Sequence, residues 1–388
     1  MKKKIAILGS TGSIGKSLIK IICKDKKNFE VVLLAAEKND IELIKQAKLL
    51  KVKNLIITNL KVFNILKKKN YKRFKIFNNY KKLDFIFKKK IDYVMSSISG
   101  INGLQPTLDI IKYTKKIAIA NKESIICGWS LLNKKMKLHK TEFVPIDSEH
   151  FSINELIKNT DKKNIEKIYI TASGGPFLKK NLTSFRKIKV NNAIKHPTWK
   201  MGKKISIDSS TLINKVYELI EAKKIFDLDY SKFDILIQPT SYLHSIIKFY
   251  GGITKMLIHD TSMIIPITNS LYDNQKFKIK DNSKIKIDLI NNLSIQKVPQ
   301  KKFPIDRILR KLPKTDSLFE TVLVSANDTL VELFLKNKIS YKHIHINLNK
   351  VLTLREFQKY KNKSPKNLTE ILKLNEYVRL KTQTLSVV

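Results

Sequence analysis

The sequence predicts an α/β fold: an N-terminal Rossmann-like dinucleotide-binding domain, an α+β catalytic and connective domain, and a small C-terminal helical domain. Three observations predict it. The chain opens with a short apolar run that enters a glycine turn and then a helical pattern. Further apolar runs of strand length follow, separated by stretches long enough for crossover helices. The last part of the chain has helical periodicity and no reactive motif. At 388 residues the chain exceeds one ordinary core. The division read from it is 1–150 for the dinucleotide-binding domain, 151–285 for the catalytic domain, 286–302 for a linker and 303–388 for the helical domain.

Ile5-Ala-Ile-Leu8 reads as the first strand, Gly9-Ser-Thr11-Gly12-Ser13-Ile14-Gly15 as the turn, and Ser17-Leu-Ile-Lys-Ile-Ile-Cys23 as the following helix. Strand, glycine turn, helix is the dinucleotide-binding order, here with GxxGxxG in place of GxGxxG. Glycines let the backbone approach a pyrophosphate, and the helix start offers N–H groups and the positive end of its dipole. A second strand, Phe29 to Ala36, ends at Glu37-Lys38-Asn39, where the cofactor ribose belongs. A carboxylate there favours NAD and a cation favours the extra phosphate of NADP, so Glu37 and Lys38 point opposite ways. With Glu37 turned into solvent, Lys38 and Asn39 can hold the phosphate. Asn54 to Thr58, Asp92 to Met95 and Lys116 to Ala120 read as buried parallel strands. Asn121-Lys122-Glu123-Ser124 then sits at a strand's carboxyl end, where such sheets bind ligands.

Composition narrows the class. Lysine and arginine number 76 against 33 acidic residues, a net charge of +43 that ordinarily raises nucleic-acid binding. The lysines are spread through every third of the chain among Ile and Asn, with no arginine-rich arm and no aromatic-interleaved patch. A bias toward A/T-rich codons produces that pattern. Specific nucleic-acid binding is therefore not expected, while weak polyanion binding at low salt is. No uninterrupted apolar run reaches the roughly 18 residues of a membrane span, so no membrane partner is expected. The Lys-rich start turns glycine-rich too early for an export signal. Cys23 and Cys127 belong to no motif, which fits a reducing cytoplasm.

Glu142-Phe-Val-Pro-Ile146 leads into Asp147-Ser148-Glu149-His150. Read as an extended segment, Asp147 and Glu149 face one side and converge on a point. An exposed acidic turn has the same sequence appearance. Glu218 supplies a third acid, with Asn214 one helical turn away on the same face. Three hard oxygen ligands without cysteine suit Mg²⁺ or Mn²⁺, with Co²⁺ as an alternative, rather than zinc.

Ile168 to Ala172 reads as a strand running into Ser173-Gly174-Gly175-Pro176-Phe177, a turn fit to receive a phosphate. Ser209, Asn214 and Lys215 add donors. Residues 196–202, His196-Pro-Thr-Trp199-Lys-Met201-Gly202, read as a flap whose Trp199 and Met201 cover a substrate and exclude water.

Taken together, GSTGSIG, NKES, DSEH, SGGPF, HPTWKMGKKISIDSSTLINK and the following Glu218 resemble the 1-deoxy-D-xylulose 5-phosphate reductoisomerase family of the non-mevalonate isoprenoid pathway. The resemblance runs through nearly the whole chain. It implies NADPH- and metal-dependent conversion of 1-deoxy-D-xylulose 5-phosphate into 2-C-methyl-D-erythritol 4-phosphate, in a homodimer. It implies Asp147, Glu149 and Glu218 as metal ligands, and Lys122, Glu149 and His196 as catalytic residues. Substrate contacts are implied for Lys122, Ser148, Glu149, Ser173, His196, Trp199, Ser209, Asn214, Lys215 and Glu218. Cofactor contacts are implied for Thr11, Gly12, Ser13, Ile14, Lys38, Asn39, Asn121, Glu123 and Gly202.

The chain also departs from the family pattern. Glu37 and Val216 stand where glycines are usual, and Asp260 to Pro266 lacks the family's arginine. Ser325-Ala-Asn-Asp328 resembles a family helix start whose acid is usually Glu, and His244 matches a family histidine. Lys276 to Lys302 reads as a linker or a weak strand followed by a loop. Asp316 to Leu323 and Asp328 to Leu335 read as helices. The competing reading, a non-catalytic binding protein, is opposed by the intact Asp147, Glu149, Glu218, Lys122 and His196.

Overall fold

The computed structural model describes residues 1–69, 71–199, 201–272, 277 and 285–386. Lys200, within the expected flap, and much of the expected linker start, 276 and 278–284, lie outside the described residues. By internal contacts the chain forms two units. The first comprises Met1–Ile125, Ser130–Asp147 and Met263–Lys278, and the second Ile126–Trp129, Ser148–Ser262 and Ile279–Val388.

The first unit is built on a seven-stranded parallel sheet of strands β1 (Lys3–Leu8), β2 (Phe29–Ala36), β3 (Asn54–Ile57), β4 (Lys75–Phe77), β5 (Ile91–Ser96), β6 (Thr114–Ile119) and β7 (Glu142–Val144). Their spatial order is β4-β3-β2-β1-β5-β6-β7. The order reverses between β1 and β5, and the crevice above such a reversal is where open α/β sheets bind ligands. Covered on both faces, the central strands are apolar throughout: Ile5, Ala6, Ile7 and Leu8 are 0% exposed. The helix Ser13–Lys24 lays Leu18, Ile19, Ile21 and Ile22 on this sheet. Each such buried side chain stabilises by about 1.5–3 kcal/mol. The five strands read from the N-terminal sequence all form, with ends shifted by at most two residues; β4 and β7 are additions, each only three residues long.

One component of this unit was not legible in the sequence. The helix Ile264–Tyr272 returns to pack on the helix Ser13–Lys24 and adds Ile267 and Leu271 to its core. Lys3 Nζ donates to Leu271 O at 2.9 Å, the Tyr93 and Ser270 hydroxyls meet at 2.8 Å, and Tyr272 donates to Asp25 at 2.6 Å.

The second unit holds a five-stranded sheet, ordered β11-β10-β8-β9-β12, of β8 (Ile165–Ala172), β9 (Phe233–Ile237), β10 (Leu243–Phe249), β11 (Thr254–Ile258) and β12 (Gln296–Lys297). Only β8 and β9 run parallel. The helix Ser148–Leu156 packs on β10 and β11, and Ile213–Phe226 packs on β8 and β9. The helices Phe319–Leu335, Tyr341–Thr353 and Leu368–Ser386 pack together in the same unit. Within 286–302 lie a short helix, Ile287–Asn291, and β12, which pairs with β9.

Two local expectations are corrected. The stretch 147–149 is not extended: a helix begins at Ser148, so Glu149 occupies its first turn. Ser325–Asp328 is not a helix start but the middle of Phe319–Leu335. Its polar residues turn sideways, the Asn327 amide N–H donating to Asp208 at 2.7 Å and Asp328 pairing with Lys204 at 2.9 Å. The helix starts instead at a capping exchange: Ser317 N donates to the Glu320 carboxylate and Phe319 N to the Ser317 hydroxyl.

Candidate active site

The dinucleotide turn follows β1. Gly9 has φ +80°, and a Cβ there would lie 2.6 Å from Ser97 O; a Cβ on Gly15 would lie 2.5 Å from Ser10 Cα. Only glycine fits either position. Gln46 Nε2 holds the turn by donating to Ser10 O at 3.1 Å. Gly12 caps the helix without a side-chain bond, and the first turn carries no acidic residue. The N–H groups and dipole of that end, flanked by Thr11, Ser13 and Ile14, are therefore available to an anion. The residues present thus fit a dinucleotide.

At the end of β2, Glu37, Lys38 and Asn39 are all exposed. Asn39 also caps the next helix, accepting from Glu42 N at 3.2 Å. Asn121 is buried and committed to the backbone: its oxygen accepts from Ser124 N at 2.6 Å, and its amide donates to Gly100 O at 2.6 Å and to Ile98 O. Glu123 sits in the first turn of the helix Lys122–Leu138, and Lys122 forms an ion pair with Asp147.

The carboxylate group is set by two helices of the second unit. Glu149, in the first turn of Ser148–Leu156, is 8% exposed; Glu218, in Ile213–Phe226, is 1% exposed. The Lys215 ammonium bridges them, 2.5 Å from Glu149 Oε1 and 2.6 Å from Glu218 Oε2. The remaining oxygens accept from neutral donors, Ser148 Oγ on Glu149 and Asn214 Nδ2 on Glu218. Asp147 lies two residues before Glu149, and ligand oxygens of Asp147, Glu149 and Glu218 fall within 4.8 Å of one another. Three hard oxygen donors of this kind fit Mg²⁺ or Mn²⁺.

His150 was missed as a positioning residue. It is 1% exposed, and its Nε2 bonds the Glu218 backbone oxygen at 2.8 Å, tying the two helices together at the carboxylates. Its place beside Glu149 was the only signal. Val216, expected to be glycine, is helical and 0% exposed. The unusual backbone lies earlier, at Leu212 with φ 60°, so the backbone at Val216 does not require glycine.

A second group surrounds the end of β8. His196 Nδ1 accepts from the backbone N–H of Trp199 at 2.9 Å and of Thr198 at 3.2 Å. Its proton therefore sits on Nε2, which faces Ser173 Oγ at 3.0 Å. Burial, helped by the nearby Lys215 charge, pulls His196 down from 6.5 to about 4. Ser173 Oγ also accepts from Gly175 N at 3.0 Å, so its own proton is left to point at a ligand. Gly174 and Gly175 take positive φ, 79° and 65°, and Ser209 O lies beside the turn, 3.1 Å from where a Gly175 Cβ would be. Trp199 stands edge-on to His244, and His244 stacks on His259 at 3.6 Å. Gly202 caps the helix Lys203–Ser210, accepting from Ser206 N at 3.1 Å.

Comparisons with known proteins agree with this geometry. Models of 1-deoxy-D-xylulose 5-phosphate reductoisomerase match residues 5–128, of its C-terminal domain residues 143–226, and of a DXP reductoisomerase C-terminal domain residues 259–381. The 1-deoxy-D-xylulose 5-phosphate reductoisomerase of Pelagibacter ubique (strain HTCC1062) is 57% identical over 99% of this chain and 100% of its own length. The same enzyme from Zymomonas mobilis, solved with NADPH, is 27% identical with TM-score 0.86, covering 100% of this chain and 99% of that one. A DOX-P reductoisomerase solved with NADPH, fosmidomycin and magnesium is 28% identical with TM-score 0.90, covering 98% of each. With its glycine turn, three gathered carboxylates and matched length, this chain belongs to the 1-deoxy-D-xylulose 5-phosphate reductoisomerase family.

Proposed function

We propose that the protein converts 1-deoxy-D-xylulose 5-phosphate into 2-C-methyl-D-erythritol 4-phosphate, using NADPH and Mg²⁺, with Mn²⁺ or Co²⁺ as substitutes. The observation that carries this reading is the Asp147, Glu149 and Glu218 group in a chain that also holds a dinucleotide turn. A divalent cation held there is a Lewis acid for charge on substrate oxygens, and NADPH is the source of hydride.

The chain's own residues divide the remaining work. Ser173, His196, Ser209, Asn214 and Lys215 bind the phosphorylated substrate. The neutral Nε2–H of His196 orients the Ser173 hydroxyl, which spends no charge and keeps one donor for phosphate. Binding energy at that remote group positions the reacting carbons. Lys122 and Glu149 move protons, and Ser148 fixes the Glu149 carboxylate by a hydrogen bond. Trp199 closes over the substrate and excludes water. Thr11, Gly12, Ser13, Ile14, Lys38, Asn39, Asn121, Glu123 and Gly202 bind the cofactor, Asn121 through its backbone, since its side chain is spent on the loop 98–100.

Purified protein given substrate, NADPH and Mg²⁺ is expected to consume NADPH; no turnover with Mg²⁺, Mn²⁺ or Co²⁺ sinks the reading. Glu218→Gln is expected to lower turnover about a hundredfold or more and to weaken metal binding. A variant as active as wild type contradicts the metal assignment.

A homodimer is also proposed. The edge strand β11 and its approach leave Tyr250, Ile253 and Met256 at 65%, 63% and 51% exposure, an apolar edge suited to pairing with a second copy. Light scattering at the mass of one chain contradicts it. Cytoplasmic location is proposed from the free thiols Cys23 and Cys127, and fractionation tests it. The division at 1–150, 151–285, 286–302 and 303–388 is proposed as well; limited proteolysis that spares 286–302 while cutting elsewhere first opposes it.

A further inference from the structure

The two buried carboxylates at the site are already fully engaged by the chain itself. One oxygen of Glu149 and one of Glu218 contact the Lys215 ammonium at 2.5 and 2.6 Å, and the other two accept from Ser148 and Asn214. Lys215 is 8% exposed, so water screens this bridge little. A divalent cation taking the same oxygens would stand within a few ångströms of the ammonium, and two cations so close in a poorly screened place repel strongly. The ammonium and the metal therefore compete for the pair.

Lys215 has a second destination on the same unit. It lies within electrostatic reach of His196, the histidine that bonds Ser173 at the Gly174-Gly175 turn. Those groups are neutral donors suited to an anion and lack a cation of their own among the residues described in contact with them. A lysine is a compact charge on a flexible four-carbon stem, and Ser209, six residues before Lys215, already lies beside the Gly174-Gly175 turn.

We infer that Lys215 is an internal competitor of the divalent metal, and that a phosphate group at the Ser173–His196 turn draws it off the carboxylates, so that metal and phosphate bind synergistically. The inference rests on the reading of Asp147, Glu149 and Glu218 as metal ligands and of the turn as the phosphate site. It makes the phosphate of the substrate part of metal recruitment. Reciprocity then requires the metal to tighten phosphate by the same factor.

The test is Mn²⁺ binding by the full-length purified protein at constant pH, followed by the electron paramagnetic resonance signal of free Mn²⁺. Methyl phosphate is the probe, with its own Mn²⁺ complexation measured in protein-free buffer and subtracted. Methyl phosphate is expected to tighten Mn²⁺ about tenfold in the wild type, within the usual range of coupling between sites. Lys215→Met is expected to bind Mn²⁺ alone about tenfold tighter than wild type and to lose the response to methyl phosphate. A wild type indifferent to methyl phosphate overturns the inference, as does a Lys215→Met protein with wild-type affinity and response. If Lys215→Met does not fold, the wild-type response decides alone. Glu218→Gln separates this inference from the reading beneath it. Equal Mn²⁺ binding by wild type and Glu218→Gln removes the metal assignment itself. Binding lost in Glu218→Gln but unchanged in Lys215→Met removes only the competition.

Discussion

His196 shows how far one residue's chemistry follows from its partners. Two backbone N–H groups donate to Nδ1, so the ring is held as the neutral Nε2–H tautomer facing Ser173. Burial reinforces this by lowering its pKa from 6.5 to about 4. Between those values the unfolded chain binds a proton that the folded chain refuses, so this contribution to stability is whole above 6.5 and is lost as pH falls toward 4. Nitrogen NMR shifts at pH 6 are expected to show neutral His196; an imidazolium signature there contradicts the assignment. In His196→Gln the slope of stability with pH across this window is expected to flatten. The type and position of His196 were legible in its motif, but its tautomer was not, because the donors of Thr198 and Trp199 are fixed only once the loop is folded.

At the scale of elements, the glycine turn carries the clearest constraint. Gly9 combines φ +80° with a backbone oxygen 2.6 Å from where its Cβ would be. Gly9→Ala is expected to destabilise the protein by about 1–3 kcal/mol, the usual cost of such backbone strain, and to weaken NADPH binding. Thermal melting and cofactor fluorescence check both, and unchanged values would mean that the turn relaxes freely. The opposite case is Val216, a departure from a family glycine at a position whose helical backbone does not require one. Strands were legible because burial on both faces leaves nearly continuous apolar runs. The helix beginning at Ser148 was not, since its first turn, Ser-Glu-His-Phe, has no apolar periodicity; its first polar residues point toward the site rather than following an amphipathic pattern.

For the whole molecule, two features extend beyond any one element. Leu271, 2% exposed, lies in the core of the first unit although its helix begins 120 positions after the end of that unit's last strand. Leu271→Ala is expected to cost about 2–5 kcal/mol in chemical denaturation. A cost below about 1 kcal/mol would show that the returning helix is an accessory to that core. The second feature is charge. With +43 on 388 residues, association with the anionic cofactor and substrate is expected to be fast at low salt. NADPH association rates are expected to fall steeply between 0.01 and 1 M ionic strength, as the screening length shrinks from about 30 Å to about 3 Å. A flat salt profile would mean that the excess lysine is directed away from the cofactor site.

The sequence by itself determined the chemical inventory of this protein: the glycine turn, the three acids, the phosphate donors, and the parallel strands that carry the first of these. Such features are local, because side-chain chemistry and short-range periodicity are written residue by residue. Only the tertiary structure decided which inventory members meet. It placed Lys215 on Glu149, gave His150 the task of joining two helices, and returned Ile264–Tyr272 to the first unit's core. These pairings link residues 66, 68 and more than 240 positions apart. No local pattern encodes them, because they arise where packed elements share one buried space and most charged or polar groups in it are paired.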